Sequence, residues 1–217
     1  MSTQTEPKPA SEGSSKAGPS RRERILRAAI AAFAARGFEG ATWKIIADGA
    51  GVTQGLIRFY FKDKENLWRE AVARARAERI AHMPPNAVRG RDAVSPKAVE
   101  TWLRAYAEHV ARHPEEARIL IHESQAPTER LRWAAREFMR DDQEEFLSAV
   151  RALKAQGWFS GIHPKSLLYM MAGAAQYLFL VPGERIAVGG VDPRTDAQVR
   201  LHVNAVVTLF MAHQPKS

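Results

Sequence analysis

The stretch TWKIIADGAGVTQGLIRFYF, from Thr42 to Phe61, decides how the N-terminal part of this chain folds. Two short apolar patterns stand on either side of Gly51, and a threonine that can cap a helix precedes each of them, at positions 42 and 53. Glycine reaches the left-handed turn conformation at little steric cost, and Ala47 is small where two helices would cross. The stretch therefore predicts a helix-turn-helix, whose second helix can lie in the major groove of DNA.

Helical patterns continue on both sides of this motif. Before it, an apolar stripe predicts a first helix that ends at Gly37. After it, Asp63 can cap a helix that runs from Lys64 to about Ala81 and is stopped by Pro84 and Pro85. The side chains expected to form the core of these helices are Ile25, Leu26, Ala29, Phe33, Phe38, Val52, Ile57, Phe61, Leu67 and Trp68.

The chain divides by composition into three parts, and the predicted fold is all-α. Residues 1–19 predict a disordered tail, residues 20–68 a three-helix DNA-binding head, and residues 82–217 a helical bundle for ligand binding and dimerisation. The helix that begins at Lys64 connects head and bundle, and a Pro-, Gly- and Arg-rich link follows it at 83–94. In the bundle we expect helices at 95–113, 115–124, 128–156, 163–181 and 192–213, with a loop at 182–191.

The net charge of +8 is concentrated in the head and the connecting helix. Residues 21–79 contain 13 Lys or Arg and 7 Asp or Glu, whereas residues 1–20 are neutral and the rest of the chain has 17 basic and 15 acidic residues. An excess of this kind is expected of a segment that meets a polyanion, although a solvated basic face would have the same composition.

The composition also indicates where the protein works. The chain has no cysteine, which excludes a disulfide framework and a thiolate metal site. The N-terminus is polar rather than apolar, so we expect no signal peptide. The nearest candidate for a membrane span, Leu167 to Val181, is short and carries Gln176. We therefore expect a soluble cytoplasmic protein with no membrane partner.

A family resemblance rests on residues of the head in a particular order. They are Phe33, Arg36-Gly37-Phe38, Ala41-Thr42, Ile46-Ala47, Ala50-Gly51-Val52-Thr53, Gly55, Tyr60-Phe61 and Lys64-Glu65-Asn66-Leu67. In this order and spacing the string from Ile25 to Trp68 resembles the TetR family of bacterial one-component regulators. The resemblance implies a homodimer whose heads bind a palindromic operator in double-stranded DNA, and whose bundles hold a small-molecule ligand that releases the operator.

The resemblance also assigns the residues that face DNA. On the recognition helix they are Gln54, Gly55, Leu56, Arg58 and Phe59, and at phosphate-contacting positions they are Thr42, Lys44, Thr53, Tyr60 and Lys64. Their chemistry agrees, because Gln can read adenine and Arg can bind guanine with two hydrogen bonds or grip a phosphate. The family often has Tyr where this chain has Arg58, so the role of this position is harder to transfer. Thr42 and Thr53 are equally explained as helix caps.

The bundle offers candidates for the ligand site and for the dimer interface. Polar and aromatic residues that could line a cavity are Trp102, Tyr106, His122, Glu123, Trp133, Gln176 and Tyr177, although each could equally be ordinary core or surface. The small residues at 171–175 and the stripe Val199, Val203, Val206, Val207 and Phe210 predict a homodimer through the last two helices. Packing inside a single bundle would use the same stripes.

Two other functions compete with a ligand-responsive regulator. An architectural protein that binds DNA without sequence preference would need only the basic head. A helical metalloenzyme could use His109, His113 and Glu123, but the chain has no HExxH, GxSxG, P-loop or GxGxxG motif. We therefore expect that the protein is not an enzyme and that it binds neither a metal nor a cofactor.

Overall fold

The computed structural model describes residues 19–84 and 95–212. These residues form eleven α-helices and no strand, so the predicted all-α fold is confirmed. The predicted tail, apart from Pro19, and most of the predicted link lie outside the described residues. The helices are α1 (Arg21–Gly40), α2 (Trp43–Ala50), α3 (Gln54–Phe61), α4 (Lys64–His82), α5 (Pro96–Arg112), α6 (Glu115–Ser124), α7 (Glu129–Ala134), α8 (Arg140–Ala155), α9 (Pro164–Leu180), α10 (Pro182–Gly189) and α11 (Asp196–Met211).

Helices α1 to α4 pack around an apolar core that contains most of the side chains expected there. Phe33, Ile57, Leu67 and Trp68 are fully buried, and Phe61 is nearly so. The N-terminus of α4 is capped by the Asp63 carboxylate, which accepts a hydrogen bond from the backbone N–H of Asn66 at 2.7 Å. The helix-turn-helix therefore packs on a buried apolar core formed with α1 and α4.

The core of the head also includes residues from the middle of the chain. Helix α6 packs along α1, and Ile119, Ala134 and Phe138 are buried in the same core as α1 to α4. The predicted end of α1 at Gly37 is only partly correct: this glycine has φ of 65° and breaks the helix, but helical structure resumes and reaches Gly40. The break is buried, and a Cβ on Gly37 would lie 3.4 Å from the His122 ring.

Three predicted boundaries in the bundle are wrong. A π-helical turn (Ala135–Met139) interrupts the helix expected at 128–156. Phe138 lies in this turn and is buried with its ring against Trp133. The expected loop at 182–191 is α10, because proline suits the first turn of a helix and Gly190, at φ of 62°, ends it. Helix α11 begins at Asp196 rather than 192, since Thr195 caps it there.

A second apolar core lies between α5, α8, α9 and α11. Helix α4 connects the two cores, because its first half packs in the head and its last turns contact α5 and α6. Near that end Arg79 bonds Glu116 of α6 at 2.8 Å and Asp142 of α8 at 2.8 Å. The helix that leaves the DNA-binding motif is thereby tied by ion pairs to α6 and α8.

Candidate nucleic-acid interface

Helix α3 is held in place by its caps and by its buried face. The hydroxyl oxygens of Thr42 and Thr53 accept hydrogen bonds from the backbone N–H groups of Ile45 and Leu56, which starts α2 and α3 where the sequence predicts. Gly51 adopts the left-handed conformation with φ of 63° and ends α2. Since Ile57 is fully buried, the opposite side of α3 must face solvent.

The outward side of α3 carries the residues expected to face bases. Gln54, Gly55 and Arg58 are exposed and Leu56 is half-buried. Phe59 is 80% exposed and the adjacent Tyr60 is 37% exposed, with their rings edge to face at 5.5 Å. Packing within the chain does not explain so exposed a phenylalanine, so this surface is suited to a partner.

Arg58 makes a contact that the sequence does not reveal. Its guanidinium lies 5.7 Å from the centre of the Trp43 ring, at the start of α2. An arginine at this distance from an aromatic face is attracted to it. Among the described residues Arg58 has no acidic partner, so its charge is available to DNA while Trp43 restrains its position. The two residues are fifteen positions apart in the sequence, so helical periodicity does not predict their contact.

The two lysines at the expected phosphate positions differ in their partners within the chain. The Lys44 ammonium is exposed but bonds the Asp48 carboxylate at 2.7 Å, and this hydrogen bond raises the pKa of Lys44. Lys64 is half-buried: its ammonium donates to the carbonyl of Glu39 at 3.4 Å and lies 4.6 Å from the Phe38 ring centre. Lys64 is therefore anchored by α1, whereas Lys44 would have to release the Asp48 carboxylate before it could bind another anion.

Known proteins resemble both the head and the whole chain. The profile described as "Bacterial regulatory proteins, tetR family" matches residues 25–71, which comprise most of α1, the helix-turn-helix and the start of α4. The repressor SCO4008 of Streptomyces coelicolor is 29% identical over 180 residues, which cover 80% of this chain and 86% of that protein. The DNA-binding head at residues 25–71 belongs to the TetR family of bacterial regulatory proteins. The repressor AcnR of Corynebacterium diphtheriae is 43% identical to this chain over 63 residues, 29% of the chain and 33% of AcnR.

Solved structures share the fold over nearly the whole chain. The hemolysin II transcriptional regulator HlyIIR superposes with a TM-score of 0.64 at 22% identity, covering 88% of this chain and 97% of HlyIIR. AibR, solved in complex with isovaleryl coenzyme A and operator DNA, superposes with a TM-score of 0.69 at 15% identity, covering 91% and 100%. These likenesses show that the bundle, and not only the head, shares its fold with these two regulators.

The residues considered for a ligand site do not gather in one place. Trp102 and Tyr106 stack at 5.2 Å on α5, beside an apolar cavity between α5, α8, α9 and α11. Glu123 is buried but already accepts hydrogen bonds from Thr128 at 2.7 Å and Arg130 at 3.0 Å. The remaining candidates lie elsewhere: Trp133 against Trp68 in the head core, His122 exposed beside α1, Gln176 half-buried and Tyr177 exposed on α9.

The apolar stripe predicted to form the dimer interface is used inside the subunit. Val199, Val203 and Phe210 are at most 6% exposed, because they pack against α5 and α9 in the bundle core. That stripe was therefore wrongly assigned to dimerisation. Other apolar side chains of the last helices face outward: Tyr169, Met170 and Tyr177 of α9 and Leu201 of α11 are 56–69% exposed.

The histidines of the metalloenzyme alternative lie at the junction of α4 and α5. The rings of His109 and His113 are 5.1 Å apart and that of His82 is 5.0 Å from His109. Burial, with the neighbouring His113, lowers the pKa of His109 to about 4. Within 19–84 and 95–212, no three His, Asp or Glu side chains are arranged to hold a metal ion.

One further finding concerns membranes. In the described ranges no single helix is long and apolar enough to span a bilayer. Helices α9 and α10 have the required length and apolarity only when they are taken together, and the pair is bent by 64°.

Proposed function

We propose that this chain is a cytoplasmic, ligand-responsive repressor that binds a palindromic DNA operator as a homodimer. The observation that carries the proposal is the outward face of α3, where Arg58 has no acidic partner within 19–84 and 95–212 and Phe59 is 80% exposed. A cation and an exposed apolar group on a recognition helix suit the edges of bases and the methyl group of thymine. The 29% identity to a repressor along most of the chain supports repression rather than activation.

In this proposal the residues of the head have two kinds of task. Gln54 and Arg58 read base edges, Gly55 lets the backbone come close, and Leu56 and Phe59 contact thymine methyl groups. A second set holds the phosphates on either side and fixes the register of α3 without reading sequence. That set is Thr42, Lys44, Thr53, Tyr60 and Lys64.

The dimer is proposed to form through the exposed face of α9 and α11. Tyr169, Gly173 and Tyr177 are four residues apart along α9 and therefore share one side of the helix, with Gly173 exposed between the two tyrosines. Leu201 adds an exposed apolar group from α11. A twofold axis through this face would bury aromatic side chains that water now surrounds, and it would set the distance between the two heads.

In this proposal residues 20–68 bind DNA, residues 82–217 bind the ligand and form the dimer, and α4 connects the two parts. Since Arg79 of α4 pairs with α6 and α8, a change in the bundle can reach the head through α4. Ligand binding would favour a population in which the two heads no longer fit successive major grooves.

Selection of bound fragments from a random duplex library tests this function. The full chain should enrich a palindrome with half-sites about 34 Å apart. Its affinity should fall steeply with salt because several phosphates are neutralised. Retention of the library without an enriched sequence would instead favour an architectural DNA-binding protein.

A further inference from the structure

Trp43 is fixed at the start of α2, between the core of the head and its surface. Its side chain is half-buried and packs against the apolar core that α1 to α4 share. Immediately before it, the Thr42 hydroxyl accepts a hydrogen bond from the backbone N–H of Ile45 at 3.3 Å, so the backbone that carries the ring is capped as well. The part of the ring that does not pack against the core therefore keeps a fixed position.

Arg58 lies against this ring, across the turn of the helix-turn-helix. Its guanidinium carbon is 5.7 Å from the ring centre, within the range in which a cation is attracted to an aromatic face, and tryptophan is the strongest partner of this kind. Buried groups hold the two helices together, because Ile46 of α2 and Ile57 of α3 are fully buried in one core. The contact is therefore built into the crossing of α2 and α3.

The other charges of the motif leave Arg58 to the ring. Between Thr42 and Phe61 the chain has two cations, those of Lys44 and Arg58, and one carboxylate, that of Asp48. Lys44 bonds this carboxylate at 2.7 Å, and within 19–84 and 95–212 Arg58 has no acidic partner. A ring face attracts the charge of a guanidinium without accepting from it as a carboxylate would, so the N–H donors of Arg58 stay available to a base.

Restraint of this kind favours the recognition of bases over phosphates. A guanine presents O6 and N7 to a guanidinium at one position in the groove, whereas phosphates line the whole backbone and a mobile arginine can reach them in many conformations. An arginine loses rotamer entropy when it is ordered by its partner. A guanidinium that is already held near its bound position loses less, and the gain applies to the base that requires this position.

We propose that Trp43 is a positioning residue for sequence recognition: it holds the Arg58 guanidinium where it can bind the O6 and N7 atoms of a guanine in the operator. The inference rests on the proposed function, because it names a residue on which sequence reading by α3 depends. Trp43 acts through Arg58 and not by its own contact with DNA. Its effect is therefore on the difference in affinity between the operator and other duplexes.

The quantity that tests this role is the discrimination ratio, the Kd of a scrambled duplex divided by the Kd of the selected operator, measured by fluorescence anisotropy with the full chain. Trp43→Leu keeps an apolar side chain against the core and removes the aromatic face, so it should lower the ratio about three- to fivefold, as expected for a cation–π contact at an exposed site. Trp43→Phe retains a ring face and should keep the ratio within about twofold of wild type. Trp43→Met is a second variant without a ring should Trp43→Leu melt early.

A double-mutant cycle measures whether Trp43 acts through Arg58. In the Arg58→Ala background, Trp43→Leu has no guanidinium to release, so it should change the discrimination ratio by less than about twofold. Residues that acted on DNA independently would instead show the full effect of Trp43→Leu in both backgrounds.

Trp133→Leu is the matched control for loss of a tryptophan from the head core. Trp133 is likewise half-buried against this core, and the Arg69 guanidinium lies 5.3 Å from its ring centre, but it belongs to α7 and not to the helix-turn-helix. Its replacement removes the same ring and the same type of contact, so the discrimination ratio should match wild type even if stability falls. Urea unfolding of each variant establishes that the chain is folded under the conditions of the assay.

Four results would overturn the proposal. The first two are a wild-type ratio in both folded variants without a ring, and a fall in Trp43→Phe as large as in Trp43→Leu, which would assign the effect to the indole itself. The third is an equal effect of Trp43→Leu without Arg58, which would make Trp43 a direct contact with DNA. The fourth is an equal fall in Trp133→Leu, which would make the effect one of stability. Failure of the proposed function is distinguishable, because no DNA sequence would then be enriched by the wild-type chain.

Discussion

Replacing Arg79 with methionine tests whether its ion pairs hold the end of α4 against α6 and α8. The Arg79 side chain is 18% exposed and that of Glu116 is 10% exposed, so the substitution leaves a buried carboxylate without a cation. Breaking a buried pair by removing one partner destabilises proteins by about 3–5 kcal/mol. Asp142 keeps Arg76 and is 29% exposed, so the loss falls mainly on Glu116 and should be about 2–3 kcal/mol.

The assay is urea unfolding followed by circular dichroism at a fixed protein concentration, which keeps any dimer contribution constant. Arg104→Met serves as the control, since its contacts with Glu100 and Asn204 are exposed and should contribute less than about 1 kcal/mol. A loss in Arg79→Met no larger than the control's would refute the inference that these pairs hold α4 against α6 and α8.

The same variant has a defined pH dependence. Burial raises the pKa of Asp142, but the hydrogen bond from Arg76 and the charge of Arg79 lower it by more, so it lies below its ordinary value of 3.8. A depressed carboxyl pKa contributes stability that is complete above the unfolded pKa and disappears as the pH falls through the folded one. The part of the difference between wild type and Arg79→Met that comes from Asp142 should therefore persist at pH 7 and shrink below about pH 4.

Three further variants follow from the geometry. Gly51→Ala should lower stability by about 1 kcal/mol in urea unfolding because φ is 63° there, and an unchanged midpoint would refute this reasoning. Gly55→Ala should raise stability by about 0.5–1 kcal/mol, since its nearest neighbour is 3.9 Å from the new Cβ, while weakening operator binding; unaltered affinity would mean that the backbone is not close to DNA. Leu201→Glu should give monomers in analytical ultracentrifugation at micromolar concentration, whereas Ile121→Glu on α6 should not; a dimeric Leu201→Glu would place the interface elsewhere.

The head could be predicted in detail because its signals are local. Thr42, Gly51 and Thr53 act on the backbone within a few residues of themselves, and their capping and turn geometry is the same in any fold. The missed helix α10 has a local cause as well: Pro182 and Gly183 read as a loop, although proline is favourable in the first turn of a helix.

Features that depend on long-range contacts could not be predicted in this way. The periodicity of α11 identifies its buried face, but it does not say whether Val203 packs against the same subunit or another. The cavity brings together α5, α8, α9 and α11, and it selects aliphatic side chains over the polar residues that composition suggests for a ligand site. Likewise, the contact between Arg58 and Trp43 depends on how α2 and α3 cross.

In the proposed function, α3 reads DNA sequence through Arg58. The most direct measurement compares wild type, Arg58→Ala and Arg151→Ala, which removes the same charge from an exposed site on α8, by fluorescence anisotropy on the selected operator and on a scrambled duplex. Arg58→Ala should lose about 1–3 kcal/mol of operator affinity with little change on the scrambled duplex, and Arg151→Ala should match wild type on both. Equal losses of Arg58→Ala on the two duplexes would contradict the claim and make Arg58 a phosphate contact.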